Sequence, residues 1–488
     1  MNGISRAKQG PGAAAFETRQ VPMLIGGEWR TGASEYEVLD PYRGGVVSRA
    51  PNSTLEDLDD AISAGVAAKA KAAAMPGYER AALLHRAGAL LVERAGAIAE
   101  IMTRETGKAI SDSRAELERA KDTIRLSAEE AVRIQGEHVP LEATAKGAGK
   151  VAMTLRFPVG TVAAITPYNA PFNLAAHKLA PAIAAGNTVV LKPPLQAPLT
   201  VHQLVRLFVD AGAPAGLLNV VYGEAVGPAL VRDPRIDFIT FTGSTRVGDE
   251  IKAASGLRRV ALELGGTGQT IVHHDAPLDE AAEACATNSM RLAGQSCASV
   301  QNVYVHEAVF DAFAARLTAE VKKLKSGDPL DGDTDVGPLI DENAAKRVES
   351  WTKEAVEGGA RLLAGGKRTG NLLEPTLLAG VDPAMKVVCN EVFGPLATIQ
   401  KYTDIEDVYD IVTETPLGLQ CGIYTASLET AFAALKRLRT GAVIVNGTST
   451  WRTDQMPYGG VKNSGIGREG AHYAIREMTE ERLIVFNL

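Results

Sequence analysis

Cys297 stands in the run Arg291-Leu292-Ala293-Gly294-Gln295-Ser296-Cys297, just past a segment with helical spacing, and Glu263 lies upstream in the strand-like run Leu262-Glu263-Leu264-Gly265-Gly266. A lone thiol with a carboxylate base within reach is the arrangement that covalent attack on a carbonyl carbon requires. An unperturbed thiol is only a few per cent ionised at pH 7, so such chemistry needs surroundings that favour the anion or position a base. Cys285 reads as a core residue, because it shares an apolar face with Ala281, Ala282 and Leu292. Cys297 lies beyond Gly294, the expected helix C-cap, and does not fit a core role. Cys389 and Cys421 are also expected in the core. No CxxC spacing occurs, so no metal site is expected.

The elements that must hold these residues are legible from short β-branched runs alternating with helical patterns. Gly160–Ile165, Thr188–Leu191, Leu218–Tyr222, Asp237–Phe241 and Arg259–Leu264 are predicted as buried strands. Asn173–Ala185, Thr200–Ala211 and Arg246–Ser255 are predicted as the helices between them. A second series has strands at Thr270–His273, Asn302–His306 and Ala442–Asn446, and helices at Ala308–Lys325, Asn343–Glu357 and Leu428–Arg439. This alternation predicts an α/β protein of two doubly wound, Rossmann-like domains with a boundary near Gly265-Gly266. The part before residue 135 reads as mostly helical, with Leu55–Ala74 and Tyr78–Thr106 carrying i, i+3, i+4 apolar spacing. Glu137–Val159 reads as a hairpin and Glu481–Leu488 as a lone strand. With no obvious place in either sheet, they are expected to pair with another subunit. The expected division is 1–134 and 157–264 for one domain, 265–470 for the second, and 135–156 with 471–488 as a small β oligomerisation element.

Composition excludes several classes. With 45% hydrophobic and 22% charged residues and a net charge of -7, the chain reads as globular, not disordered, and not as a nucleic-acid binder. No apolar stretch is long enough for a membrane span. The first 20 residues lack the hydrophobic core of a secretion signal and are expected to form a loose tail. Few cysteines in so long a chain argue against a disulfide framework, and a cytoplasmic location is the default expectation. Gly465-Ile466-Gly467-Arg468-Glu469-Gly470 matches GxGxxG, but too few residues follow it for the βαβ unit that gives the pattern meaning. Gly243-Ser244-Thr245-Arg246-Val247-Gly248 is the better phosphate turn, since it follows a strand and opens a helix.

From about residue 22 onward the chain resembles the NAD(P)-dependent aldehyde dehydrogenases. The resemblance rests on Thr166-Pro167-Tyr168-Asn169-Ala170-Pro171-Phe172, Leu191-Lys192-Pro193, Phe241-Thr242-Gly243-Ser244, Leu262-Glu263-Leu264-Gly265-Gly266, Gly294-Gln295-Ser296-Cys297, Glu391-Val392-Phe393-Gly394-Pro395 and Pro457-Tyr458-Gly459-Gly460, in that order. It implies a nucleophilic Cys297, a general base at Glu263 with glycines leaving it room to swing, and an oxyanion donor at Asn169 beside the backbone N–H of Cys297. It implies NAD or NADP held by Ile165, Thr166, Pro167, Lys192, Gly223, Phe241, Gly243, Ser244, Leu264, Glu391 and Phe393. NAD-preferring relatives usually carry a glutamate three residues after the lysine; this chain has Leu195, which neither repels a 2′-phosphate nor binds one. A homodimer or homotetramer is implied, with a small-molecule aldehyde as substrate and neither nucleic acid nor membrane as partner.

The substrate end is implied by the same resemblance to take an anion. Arg291, six residues before Cys297, matches the arginine that grips the substrate carboxylate in the succinate-semialdehyde branch. Arg452 lies in the loop lining the family's substrate entrance. Arg119 matches an anion-binding arginine of branches acting on phosphorylated or phosphonate aldehydes, and His177 replaces a tryptophan or arginine of other branches. Guanidinium forks match carboxylate, sulfonate or phosphonate, so a small anionic aldehyde is expected. The alternatives are a coenzyme A-dependent acylating semialdehyde dehydrogenase, which Glu263 argues against, an aldehyde dehydrogenase for neutral hydroxyaldehydes such as lactaldehyde, and a non-catalytic protein on the same scaffold.

Overall fold

The computed structural model describes residues 17–488. The expected tail over residues 1–16 lies outside them. Arg19–Gln20, by contrast, is a short strand paired in parallel with Val46–Pro51, so the end of the expected tail is regular structure.

The first sheet has eight strands in the order Gly465–Ile466, Arg259–Glu263, Phe238–Thr242, Thr161–Ile165, Thr188–Lys192, Leu218–Val220, Met23–Ile25 and Glu28–Arg30. Its central five are parallel and its outer pairings antiparallel. Parallel strands covered on both faces read as continuous apolar runs, as Phe238–Thr242 and Thr161–Ile165 do, each wholly buried. Helix Pro171–Ala185 is buried at every residue; proline opens it and Gly186, in the left-handed region, ends it. The second sheet orders Arg361–Ala364, Thr376–Ala379, Leu396–Tyr402, Asn302–His306, Gln269–Val272, Gln420–Tyr424 and Ala442–Val445. Each sheet backs its own core; the first core runs from Val21 to Leu264, and the second begins at Val272.

The region before residue 135 is less uniformly helical than expected, since strands at Met23–Ile25, Glu28–Arg30, Glu35–Leu39 and Val46–Pro51 precede the helices. They are too short to show a period in the sequence. The hairpin and the C-terminal strand find each other. Lys150–Pro158 pairs along its whole length with Thr479–Asn487 and also with His138–Val139. Val151, Met153, Leu155, Leu483, Ile484, Val485 and Phe486 remain exposed on this three-stranded sheet. Helix Ala471–Glu477 packs instead on Pro171–Ala185 and Ile110–Ala131, and its Ile475 joins the first core.

Candidate active site

Helix Leu278–Met290 ends at Met290, four residues before the glycine expected to cap it. The backbone then turns through Leu292 (φ 56°) and Ala293 (φ 52°), a left-handed conformation that costs a non-glycine residue roughly 1–2 kcal/mol. Asp112 offsets this by accepting Arg291 Nε at 2.8 Å and the Leu292 N–H at 3.2 Å. Gly294 follows at φ 67°, and a Cβ there would lie 1.9 Å from the Gly394 carbonyl oxygen. Only glycine fits, and its close approach sets the nucleophile loop against the Glu391–Pro395 segment. Cys297 is half-buried, packs on Ala298, Leu419 and Tyr458, and has its Sγ 3.2 Å from the Tyr458 hydroxyl. Burial pushes the thiol up to about 11; the Tyr458 hydroxyl and the Arg452 charge oppose the rise, while Glu391 and Glu263 add to it. Cys285 and Cys421 are buried, whereas Cys389 is exposed at the end of the short helix Lys386–Cys389, contrary to the core expectation.

Glu263 ends the strand Arg259–Glu263 and is buried, not exposed as a strand-end carboxylate usually is. Burial drives its carboxyl well above the usual range, the nearby Glu469 drives it further, and Lys178, Arg452 and Arg468 partly oppose this. Glu469 takes the opposite course. Burial disfavours its anion, but the Lys178 and Arg452 charges and the Lys178 hydrogen bond outweigh that and keep it ionised. The two carboxylates thus divide one protonated and one ionised state between them. Gly265 and Gly266 give room to other groups than the base: a Cβ on Gly265 would meet the Glu391 carboxyl at 2.6 Å, and one on Gly266 would meet the Cys297 carbonyl oxygen at 2.4 Å. The GxGxxG run begins as the edge strand Gly465–Ile466, with Gly465 opposite Glu263 in antiparallel register.

Asn169 lies in the turn before helix Pro171–Ala185. The Lys108 ammonium donates to its carbonyl at 3.2 Å, and Glu116 accepts the Phe172 and Asn173 N–H groups, each at 2.9 Å, capping the helix. Lys108 and Glu116 are themselves ion-paired. The turn is therefore fixed, while the Asn169 side-chain oxygen is buried with no partner among the described residues.

A groove of about 570 Å³ opens along the C-terminal ends of the first sheet's parallel strands, where open α/β sheets bind ligands. Ile165, Thr166, Pro167, Lys192, Phe241 and Gly243 line it. Ser244 caps helix Thr245–Ala254 at its rim, accepting the Val247 N–H. Leu264 packs beneath Gly248, and Gly223 turns against Asn52 beside the lining residue Glu224. Glu391 and Phe393 come from the second domain. Glu391 accepts the Gly266 N–H at 3.2 Å, and burial pushes its carboxyl up to about 7. The Phe393 ring meets Tyr168 edge-on at 6.0 Å. Lys192 is largely buried, which lowers its pKa, and its ammonium has no hydrogen-bond partner among the described residues. An unpartnered ammonium, the buried and unpartnered Thr166 hydroxyl and a helix N-terminus fit a dinucleotide with ribose hydroxyls and phosphates. Around Leu195 the groove carries Gln196, Arg232 and Arg246 as well as Glu224 and Glu250.

The arginines do not form the single converging set expected. Arg291 is paired with Asp112 and half-exposed. Arg119 is held in a two-pronged pair by Asp454, at 2.7 and 3.4 Å. The same carboxylate takes His177 Nε2 at 2.9 Å. Burial keeps His177 from protonating, so its Nε2–H is the donor and Asp454 remains the ionised partner. Arg452 lies nearest the chemistry: its guanidinium carbon is 3.7 Å from the centre of the Tyr458 ring, and its Nε is buried without a partner among the described residues. Its contact with Glu469, at 3.6 Å, is loose.

Asp454, Glu469, Lys178, Lys108 and Glu116 were not legible as site residues. Lys178 carried a signal, as a lysine in a mostly apolar helix needs a buried partner; it has Glu469 at 3.3 Å. The acids gave none.

Residues 29–484 match the model of the aldehyde dehydrogenase family. The chain is 45% identical over 474 residues to the 3-sulfolactaldehyde dehydrogenase of Priestia aryabhattai, covering 97% of this chain and 99% of that one. It superposes with a TM-score of 0.95 and 39% identity on aldehyde dehydrogenase 21 from Physcomitrella patens in complex with the reaction product succinate, over 97% of this chain and 99% of that one. The NADP-dependent glyceraldehyde-3-phosphate dehydrogenase of Bacillus halodurans, complexed with NADP, gives a TM-score of 0.94 at 37% identity, over 96% and 99%.

Proposed function

Since the chain belongs to the aldehyde dehydrogenase family, we propose that it oxidises a small anionic aldehyde to its carboxylic acid with NAD or NADP. One observation carries the anionic reading: buried Arg452 stacks on the tyrosine whose hydroxyl touches the Cys297 sulfur. Arg119, Arg452, Lys178 and Arg468 outnumber the ionised Asp454 and Glu469, and Glu263 is held protonated, so positive charge is left uncompensated beside the thiol. A carboxylate or sulfonate on the substrate supplies the missing charge. The relatives named for sulfolactaldehyde and for a succinate complex agree with this.

The Cys297 thiol first loses its proton to solvent, and the thiolate so formed bonds to the aldehyde carbon as the carbonyl π pair moves onto oxygen. The Asn169 side-chain N–H and the Cys297 backbone N–H hold the developing oxyanion. Lys192, Glu391 and the Gly243-Ser244 turn would hold the dinucleotide, which when bound would supply the hydride acceptor for this oxidation. Glu263, once it has itself lost its proton to solvent, takes a proton from the water that cleaves the thioester, releasing the acid and the Cys297 sulfur. Residues 1–134 with 157–264 serve the cofactor, and 265–470 serve catalysis. The three-stranded sheet of His138–Val139, Lys150–Pro158 and Thr479–Asn487 bridges subunits of a dimer or tetramer, because its apolar strands are otherwise uncovered. Among the described residues no helix is long and apolar enough to cross a membrane.

Turnover of sulfonated, carboxylated and uncharged aldehydes of equal length, with each cofactor and with and without coenzyme A, tests this. The anionic aldehydes should lead by kcat/KM, the product should be the free acid, and Cys297→Ser should abolish NAD(P)H formation. A lead for the uncharged aldehyde would favour the hydroxyaldehyde reading, to which the ion pairing of Arg119 and Arg291 lends support.

A further inference from the structure

At the C-terminal ends of three adjacent central strands of the second sheet, histidines come together. Gln269–Val272 lies beside Asn302–His306, which lies beside Leu396–Tyr402, with His306 opposite Tyr402 in register. His273 and His274 follow the first of these strands. The His273 and His274 rings are 4.2 Å apart, and His306 meets them edge-on at 5.4 and 5.2 Å. A ligating atom from each of His273, His274 and Asp275 lies within 4.8 Å of the other two. We infer that His273, His274 and Asp275 form a binding site for a divalent transition-metal ion of the zinc, nickel or copper class.

Each ligand is oriented by its surroundings. His273 Nδ1 is 2.8 Å from the Tyr402 hydroxyl; with Nδ1–H donating there, the Nε2 lone pair is left for an ion, as outer partners of metal-bound histidines arrange it. Asp275 has one carboxylate oxygen fixed by the Thr425 hydroxyl at 3.1 Å and the Ala426 N–H at 3.0 Å. Its other oxygen is buried and has no partner among the described residues, an unmet acceptor that an ion would satisfy. His274 is exposed and can turn to close the set. His306 is a neighbour and not a ligand, because its Nδ1 accepts the Ala308 N–H at 3.1 Å, which leaves the proton on Nε2. Two imidazoles and a carboxylate suit zinc, nickel or copper; calcium and magnesium prefer all-oxygen sets. Three protein ligands leave a fourth position for water.

The cluster stands apart from the thiol. The Cys297 loop reaches the N-terminal ends of these strands, where Gly268 abuts the Ser299 carbonyl, and the histidines occupy their C-terminal ends. A five-residue strand rises about 16 Å. An ion here would tie the strand end to the Thr425-Ala426 turn and stabilise the folded chain by mass action.

The test is titration of the full-length Cys297→Ala protein with Co2+ and Zn2+, so that the thiol cannot compete. One Co2+ per chain should bind, with visible d–d absorption and no thiolate charge-transfer band, and Zn2+ should raise the Tm. His274→Ala, at an exposed position, should keep the metal-free Tm and weaken binding at least about tenfold; His273→Ala should do likewise. Mg2+ should do nothing. Failure of the ion to bind at one per chain, or binding unchanged in both variants, overturns the site.

Discussion

The Cys297 sulfur and the Tyr458 hydroxyl are 3.2 Å apart, and the only contact that lowers the pKa of this buried thiol by hydrogen bonding among the described residues is this one. With the thiol near 11, the reactive anion is scarce at neutral pH and grows about tenfold per pH unit. Inactivation by iodoacetamide should therefore accelerate steadily from pH 7 to 9 without a plateau. Tyr458→Phe should slow it about fivefold at a given pH, as expected for losing roughly 1 kcal/mol of hydrogen bonding to the anion. A plateau below pH 8 would contradict the burial argument.

Glu263 is protonated at rest because burial and Glu469 both disfavour its anion. A base held above its usual range becomes competent as pH rises, so the hydrolytic step should speed up with pH. Glu263→Gln should retain a rapid burst of NAD(P)H and lose roughly 10²–10⁴-fold in steady turnover. Stopped-flow absorbance separates the two phases, and loss of the burst itself would assign Glu263 an earlier role.

Arg452 and Arg291 should behave differently. Arg452→Leu removes a buried cation beside the thiol and should lower kcat/KM for a carboxylated or sulfonated aldehyde by about 10–150-fold, the range for a charge-assisted hydrogen bond of 1.5–3 kcal/mol. Propanal should fall less, and only through the loss of the cation that favours the thiolate. Arg291→Leu acts on a pair with Asp112 that braces the nucleophile turn, so it should lower turnover of both aldehydes alike. Steady-state kinetics with matched substrates distinguishes the outcomes.

Leu195 lines the cofactor groove, as do Arg232 and Arg246. Leu195→Glu would place a carboxylate where a 2′-phosphate would reach, and kcat/KM with NADP should fall at least about tenfold relative to NAD, equivalent to about 1.4 kcal/mol. An unchanged ratio would place the 2′-phosphate elsewhere.

Gly294→Ala should cost about 10²-fold in kcat, because its Cβ would lie 1.9 Å from the Gly394 carbonyl oxygen and must displace the Cys297 loop or the Glu391 segment. Circular dichroism should still report a folded protein. Full activity would mean that this loop relaxes freely.

Local pattern by itself determined the α/β alternation, the long helices and the rank of Cys297 over Cys285, because apolar period and β-branched runs are properties of neighbouring residues. Thr161–Ile165 and Leu55–Ala74 fall where their own side chains direct them. The order of the motifs pointed to the family, a likeness now carried by residues 29–484. Tertiary structure alone decided what depends on residues distant in the chain. Asp454 claims Arg119 and His177 across 335 and 277 positions, so which arginine keeps free hydrogen-bonding capacity could not be read from spacing. Glu469 reaches Lys178 across 291, and that pairing sets which carboxyl near the thiol carries the proton. The turn through Leu292 and Ala293 held by Asp112, and the meeting of His273 with Tyr402, arise the same way. Charge compensation and close approach are settled by burial, and burial is a property of the folded chain.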